Sequence, residues 1–188
     1  MKIWIDNGHG EDTAGKRSPD GRLREYAYAR EIASRVVDEL KAKGLDAELL
    51  TPEEEDVSLP ERCARANAVE DCILVSIHVD AAGTGNKWMK ATGWSVRVYP
   101  HCSDDTRRLA DCLGEKAEEN GLYVRRQYPG QWYWYQELYI LKHTACPAVL
   151  TENLFQDNLD DVEFLLSEEG KRKITAIHVE GICKYMGV

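Results

Sequence analysis

The chain has 188 residues, of which 43% are hydrophobic and 30% charged, a composition typical of a globular protein and not of a disordered or fibrous one. The formal net charge of -9 argues against nucleic-acid binding, which requires a concentrated basic surface. No stretch approaches the roughly 20 apolar residues of a membrane helix, and the N-terminus lacks the apolar core of a signal peptide. We therefore expect one monomeric domain over residues 1–188, made in the cytoplasm and bound to neither nucleic acid nor membrane.

The first half of the chain alternates between strand and helix patterns. Apolar residues recur with helical period from Glu25 to Lys43, and Gly44 is a typical residue after the end of a helix. A second helix is predicted to begin at the N-cap Ser58, followed by proline and glutamate in its first turn. Together with the short apolar runs, these patterns predict strands at 2–6 and 45–50 and helices at 25–43 and 58–69.

The second half continues the alternation. A buried strand is predicted from Cys72 to Ile77, directly before His78, and an alternating strand from Gly93 to Tyr99. The remaining patterns predict helices at 104–120 and 167–186 and strands at 138–141 and 148–151. Strands alternating with helices indicate an α/β fold, a three-layer sandwich with a largely parallel sheet whose site lies at the carboxyl ends of the strands.

Six scattered cysteines form no Cys-x-x-Cys pair. Several lie inside apolar stretches, where a thiol behaves as a small hydrophobic side chain. We predict free thiols in preference to a disulfide framework or a thiolate metal site.

Three side chains follow predicted strands or open a helix: His9, Glu25 and His78. Zinc in a hydrolase takes three nitrogen or oxygen ligands and keeps a fourth position for water, and two histidines with one glutamate form an established set. Glu152 follows the apolar run 146–151, which places a carboxylate at the same sheet edge. These residues predict one zinc ion bound by His9, Glu25 and His78, with Glu152 as the catalytic base.

Four motifs in order resemble those of the zinc-dependent N-acetylmuramoyl-L-alanine amidases of the amidase-3 type. They are Asp6-Asn-Gly-His-Gly10, Leu23-Arg-Glu-Tyr26, Ser76-Ile-His78 and Cys146-Pro-Ala-Val-Leu-Thr-Glu152. The resemblance covers nearly the whole chain. It departs from the family pattern at Asn7, where proline is usual, and at Glu11, where a second glycine is common, and neither position carries a ligand.

The resemblance implies a mixed, mostly parallel sheet of about six strands flanked by helices, of the phosphorylase/hydrolase-like kind. It also implies a peptidoglycan or muramyl-peptide substrate, cut at the amide between the lactyl group of muramic acid and L-alanine. Regulated members carry a helical insertion that blocks the site, whereas here residues 99–103 lead directly into the helix at Asp104. With neither a leader nor a separate wall-binding domain expected, the chain resembles the catalytic unit of a phage or prophage lysin, or a cytosolic form released at lysis, which reaches the cell wall after release or by another export route.

Four further residues are candidates for substrate binding: His143, Trp132, Trp134 and Arg125. Aromatic faces cover sugars or peptides, and an arginine pairs with a stem-peptide carboxylate. The alternative interpretations are half-buried packing for the tryptophans and solvated surface positions for Arg125, its neighbour Arg126 and His143. His178 is predicted to be structural and His101 solvated.

Two other functions remain open at this point. A zinc hydrolase acting on a different peptide or on an N-acyl sugar would use the same metal site. A catalytically inactive wall-binding module would lack a ligand or the base, and this sequence contains all four residues.

Overall fold

A six-stranded sheet forms the centre of the structure, a computed structural model that describes residues 1–188. Its strands run in the spatial order β2-β1-β3-β6-β4-β5. The β4–β6 pair is antiparallel, and all the other neighbouring pairs are parallel. The strands are β1 (Lys2–Asn7), β2 (Ala47–Leu49), β3 (Cys72–Asp80), β4 (Ser95–Val98), β5 (Tyr133–Tyr135) and β6 (Ala148–Phe155).

Helices cover both faces of the sheet, but unequally. Helices α1, α3, α5 and α6 pack on one face, and α2 packs with α4 on the other. The core on the first face contains 34 buried residues and the core beneath α2 and α4 only 8, so much of the second face is left open. The helices are α1 (Glu25–Ala42), α2 (Leu59–Asn67), α3 (Asp104–Glu119), α4 (Tyr139–His143), α5 (Leu159–Leu166) and α6 (Glu168–Met186).

Local sequence explains the helix boundaries. Ser58 accepts a hydrogen bond from the Glu61 amide at the start of α2, as its N-cap pattern predicts. Gly44, just after α1, has a φ of 81°, a left-handed conformation that costs glycine little. The strand order and the flanking helices confirm the predicted α/β fold, with a mostly parallel sheet of six strands.

The segment 138–141 was predicted to be a strand, and that prediction is wrong. It forms the cap and first turns of α4, whose Ile140 and Leu141 are buried in the smaller core. A four-residue apolar run has too few positions to distinguish a strand from a buried helix. The strand in this region is instead β5, which lies within the aromatic stretch 131–136.

Other boundaries differ from the expected ones. β3 continues to Asp80 and β6 to Phe155, so His78 and Glu152 lie inside strands and not just after them. Helix α5 was not predicted; it begins after Asn158, whose side chain accepts a hydrogen bond from the Asp161 amide.

All six cysteines are free thiols, as predicted. No helix has both the length and the apolar character that a membrane span requires.

Candidate active site

Four side chains meet at the carboxyl edge of the parallel strands. His9 follows β1, Glu25 is the first residue of α1, His78 lies in β3 and Glu152 in β6. In the parallel pair of β3 and β6, His78 is directly opposite Glu152. Side chains at paired positions project from the same face of a sheet, so these two are direct neighbours although 74 positions apart in sequence.

His9, Glu25 and His78 form a compact three-residue cluster. Their potential ligand atoms all lie within 4.8 Å of one another. Glu25 Oε1 is 3.0 Å from His78 Nδ1 and 3.5 Å from His9 Nε2. Ligand atoms held about 2.0–2.1 Å from a shared tetrahedral zinc lie roughly 3.3 Å apart, so these separations suit a zinc ion.

Unpaired polar atoms give an independent test of that fit. His9 Nε2 and Glu25 Oε2 are both buried and have no hydrogen-bond partner. A buried acceptor without a partner costs free energy, and a bound cation removes that cost. Lys16 Nζ is the nearest cation to Glu25 Oε2, at 4.0 Å. The donor set, two imidazoles and one carboxylate, is one that zinc takes in hydrolases.

Two glycines shape the backbone around His9. A Cβ atom at Gly8 would lie 2.1 Å from Cε1 of His78, and one at Gly10 would lie 2.1 Å from the backbone nitrogen of Asp56. His9 itself has a φ of 65°, a left-handed conformation that is strained for a residue with a Cβ atom. The motif Gly-His-Gly therefore brings the His9 imidazole close to His78 without steric overlap.

Glu25 is held as a carboxylate. Its Oε1 atom accepts a hydrogen bond from the Val79 amide at 3.1 Å, and only 1% of the side chain is exposed. Burial opposes ionisation, but the hydrogen bond with His78 and the nearby His9 imidazole hold the pKa of Glu25 well below its usual range. Glu25 in turn raises the pKa of His78, against the opposite effect of burial. The Glu25 carboxylate thus favours a proton on His78, and a bound metal ion would replace that proton.

Glu152 differs sharply from Glu25. Its Oε2 atom is buried without a hydrogen-bond partner. Burial, opposed by the nearby His78, raises the pKa of Glu152 to about 8. A carboxyl group that exchanges a proton near neutral pH is suited to general acid-base catalysis, and a cation beside it would favour the ionised form.

A cavity of about 350 Å³ opens beside these residues. It lies between the sheet edge and helices α2 and α4, so it reaches the site from the less covered face. Its walls combine apolar side chains from α2, α4 and β6 with the polar site itself, and include His9, His78, Glu152, Leu59, Tyr139 and Leu150.

Of the four residues predicted to bind substrate, the structure brings two together near Glu152. Arg125 and Trp134 are in contact, with the guanidinium carbon 5.5 Å from the ring centroid. Trp132 instead packs on Gly114 of α3 and stacks with Arg126, and His143 is exposed and stacks on Tyr139. None of the four residues lines the cavity.

His178 lies in the core and His101 on the surface, as predicted. His178 is fully buried, and its Nδ1 and Nε2 atoms lie 2.7 Å from the Ile174 carbonyl oxygen and 2.9 Å from Thr151 Oγ1. His101 is exposed beside the ring of Tyr99. The five residues 99–103 join β4 directly to α3, so this connection contains no blocking helix.

Sequence reasoning missed the charged residues that support the site. Arg62 of α2 is 2% exposed and pairs with Asp6, which in turn accepts a hydrogen bond from Ser76. Arg97 of β4 is 8% exposed and pairs with Asp80. An arginine within the alternating pattern of a buried strand was the available signal, because a charge at such a position requires a partner.

Comparison with known proteins agrees with this geometry. A family model described as N-acetylmuramoyl-L-alanine amidase matches residues 3–184. An endolysin of Bacillus phage SPP1 is 26% identical over 188 residues, covering 99% of this chain and 66% of that protein. The N-acetylmuramoyl-L-alanine amidase CwlM of Bacillus licheniformis is 27% identical over 184 residues, covering 98% of this chain and 68% of that protein. The chain thus spans about two thirds of the length of these two relatives.

Solved structures share the fold. The N-acetylmuramoyl-L-alanine amidase from Clostridium difficile 630 superposes with a TM-score of 0.86 at 22% identity, covering 100% of this chain and 97% of that one. The catalytic domain of CwlV from Bacillus (Paenibacillus) polymyxa var. colistinus has the same TM-score and identity, covering 100% and 99%. Because the family match extends over residues 3–184, the chain belongs to the N-acetylmuramoyl-L-alanine amidase family.

Proposed function

We propose that this protein is a zinc-dependent N-acetylmuramoyl-L-alanine amidase, which hydrolyses the amide between the lactyl group of muramic acid and L-alanine in peptidoglycan. The observation that carries the proposal is the meeting of His9, Glu25 and His78 within 4.8 Å, beside a carboxyl group whose pKa is raised to about 8. Family membership identifies the class of amide, and the site supports metal-assisted hydrolysis of it.

His9, Glu25 and His78 would hold one zinc ion per chain. The unpaired His9 Nε2 and Glu25 Oε2 atoms support this assignment. When bound, zinc polarises the substrate carbonyl and lowers the pKa of a coordinated water to about 7. The two imidazoles must be neutral to act as ligands, so the site releases protons as it is loaded.

Glu152 moves the protons of the reaction. Its ionised form accepts a proton from the attacking water, and its protonated form then donates that proton to the amide nitrogen as the C–N bond breaks. An amine is a poor leaving group until it is protonated, so the same carboxyl group serves both steps. The raised pKa supports this double role, because neither form of Glu152 is rare near neutral pH.

The surroundings of the site support a peptide-sized substrate. The cavity beside Glu152 is lined by Tyr139, Leu150 and Leu59, which offer apolar surface to the substrate. We also propose that residues 1–188 form a single monomeric catalytic domain, which acts on the cell wall and binds neither nucleic acid nor membrane. The net charge of -9 supports the exclusion of nucleic acid.

The proposal is tested by digesting purified sacculi with the zinc-loaded protein and identifying the products by mass spectrometry. Release of stem peptides that begin with L-alanine is the expected result, and a chelator should abolish it. Products cut at another bond would indicate a zinc hydrolase of different specificity. Binding to sacculi without any cleavage would indicate an inactive wall-binding module.

A further inference from the structure

Two arginines near Glu152 share a single carboxylate oxygen. Arg97 Nη2 lies 3.2 Å and Arg125 Nη1 3.1 Å from the same atom, Oδ2 of Asp80. The other oxygen of Asp80 accepts a hydrogen bond from the Ala81 amide. Asp80 is thus shared between two guanidinium groups and holds neither in a bidentate pair, and the other carboxyl group that acts on Arg97 is Glu152.

Most of the donors on these two arginines are free. A guanidinium group has five N–H donors, yet Asp80 is the only side chain to which either arginine donates a hydrogen bond. The Arg97 side chain is only 9% exposed, and its buried Nε atom has no hydrogen-bond partner. Arg125 is 27% exposed, so its remaining donors are accessible from solvent.

An aromatic side chain fixes the orientation of the arginines. The Trp134 ring centroid is 5.0 Å from the guanidinium carbon of Arg97 and 5.5 Å from that of Arg125. The Trp134 indole N–H donates to the Arg125 carbonyl oxygen at 2.8 Å, which holds the ring in place. Stacking on an aromatic face leaves the in-plane N–H donors of a guanidinium free to bind a planar anion.

Strand register places this pair beside the proposed catalytic base. Ser95 is opposite Glu152 in the β4–β6 pair, and Arg97 is opposite Leu150. Asp80 is opposite Phe155 on the other side of β6. To reach Asp80, the Arg97 side chain must extend past Glu152 toward the carboxyl edge of β6. Arg97 thus lies close enough to Glu152 for their charges to interact, on the face of the sheet that α2 and α4 leave open.

We propose that Arg97 and Arg125, supported by Trp134 and Asp80, bind a carboxylate of the stem peptide on the residue that follows L-alanine. This inference rests on the proposed amidase function. A planar carboxylate matches the fork of a guanidinium group, and the unused N–H donors of Arg97 and Arg125 are available to bind it. The adjacency to Glu152 restricts that anion to a position close to the scissile amide. Asp80 is then a positioning residue that holds both arginines in place.

The experiment compares two synthetic muramyl-peptides that differ at one group. The first carries a free carboxylate on the residue after L-alanine, and the second carries the neutral carboxamide there. Both are incubated with the zinc-loaded protein, and kcat and KM are measured for each. We expect kcat/KM to be about 10–100-fold higher for the carboxylate, the usual effect of hydrogen bonds to a charged group, with most of the difference in KM.

Arg125→Gln tests the assignment to a residue. It should reduce the preference by lowering kcat/KM for the carboxylate substrate much more than kcat/KM for the carboxamide. Arg126→Gln is the matched control, because Arg126 also stacks on a tryptophan but pairs with Glu118 away from the site. It should keep the full preference. Zinc content and circular dichroism report whether each variant is folded and loaded.

The outcomes separate the two proposals. Equal cleavage of both substrates by the wild type overturns the carboxylate site and leaves the amidase function standing. Cleavage of neither substrate overturns the amidase function itself. A full preference that survives in folded Arg125→Gln removes Arg125 from the carboxylate site and overturns the proposal of a two-arginine site.

Discussion

Arg62 donates a hydrogen bond from Nη2 to the carbonyl oxygen of His9, 3.3 Å away. Its Nη1 atom contacts Asp6 and donates to the Asn7 carbonyl oxygen at 3.0 Å. One buried side chain of α2 thus holds the strand end and the turn that carry His9. The strained φ of His9, 65°, persists because these contacts stabilise it.

Replacing Arg62 should therefore destabilise the protein strongly. Arg62→Gln leaves the buried Asp6 without its charged partner, and breaking a buried ion pair typically costs about 3–5 kcal/mol. The free energy of unfolding from urea denaturation measures the loss. Arg65→Gln is the control, because Arg65 is 32% exposed and its ion pairs with Glu53 and Glu61 are worth about 1 kcal/mol or less. Equal losses of unfolding free energy in the two variants would show that the buried ion pair of Arg62 contributes no more than the exposed ones of Arg65.

The metal assignment makes a direct prediction about binding. His9→Ala and His78→Ala should each lose zinc and activity together, because removing one of three ligands leaves the metal weakly held. Elemental analysis of the purified variants gives the stoichiometry. His101→Ala, at an exposed histidine, should retain one zinc per chain. Stoichiometric zinc in the double variant His9→Ala/His78→Ala would rule out this site.

Glu152 should be needed for turnover but not for metal binding. Glu152→Gln keeps the size of the side chain and removes its ability to accept a proton, so turnover should fall by about 10²–10⁴-fold with zinc content unchanged. Rates on a soluble muramyl-peptide measure the effect, and Glu137→Gln, at an exposed glutamate, is the control. A Glu152→Gln variant with nearly the wild-type rate would remove Glu152 from the mechanism.

His178 should make the protein less stable in acid. Burial lowers the pKa of His178 from 6.5 to about 4, so the unfolded chain binds this proton more tightly than the folded one. Its contribution to stability is complete above about pH 6.5 and is lost as the pH falls through about 4. The two pKa values correspond to about 3 kcal/mol at most.

His178→Gln should flatten the dependence of the unfolding free energy on pH across this window. Urea denaturation at about pH 7 and about pH 4.5 measures the slope. His101→Gln is the matched control, since it makes the same replacement at an exposed position. An unchanged slope in His178→Gln would mean that other groups cause the acid sensitivity.

The isolated chain should be active without an activator protein. Residues 99–103 lead directly from β4 to α3, and no helix there covers the candidate site. Zinc-loaded protein alone should therefore release stem peptides from purified sacculi. Intact sacculi alongside rapid cleavage of a short muramyl-peptide would show that access to the site is restricted, contrary to this prediction.

The chemistry of the candidate site could be predicted from the sequence because its motifs are local. Asp6-Asn-Gly-His-Gly10 and Ser76-Ile-His78 each combine an apolar strand pattern with the residue types that zinc binds. The helical period after Glu25 placed that carboxylate at the start of a helix, and α1 does begin there. Patterns of this kind depend on neighbouring residues and need no knowledge of distant contacts.

Tertiary structure decided what depends on contacts between distant segments. The identity of 138–141 as part of α4 follows from the burial of Ile140 and Leu141 under α2, which a four-residue run does not reveal. Likewise, Arg97 of β4 and Asp80 of β3 lie on strands that β6 separates in the sheet, and their ion pair across β6 is visible only in the folded structure. The sequence by itself thus determined which side chains carry the proposed chemistry. Tertiary contacts determined which charges surround them, because a buried charge needs a partner and the partners here lie on distant segments of the chain.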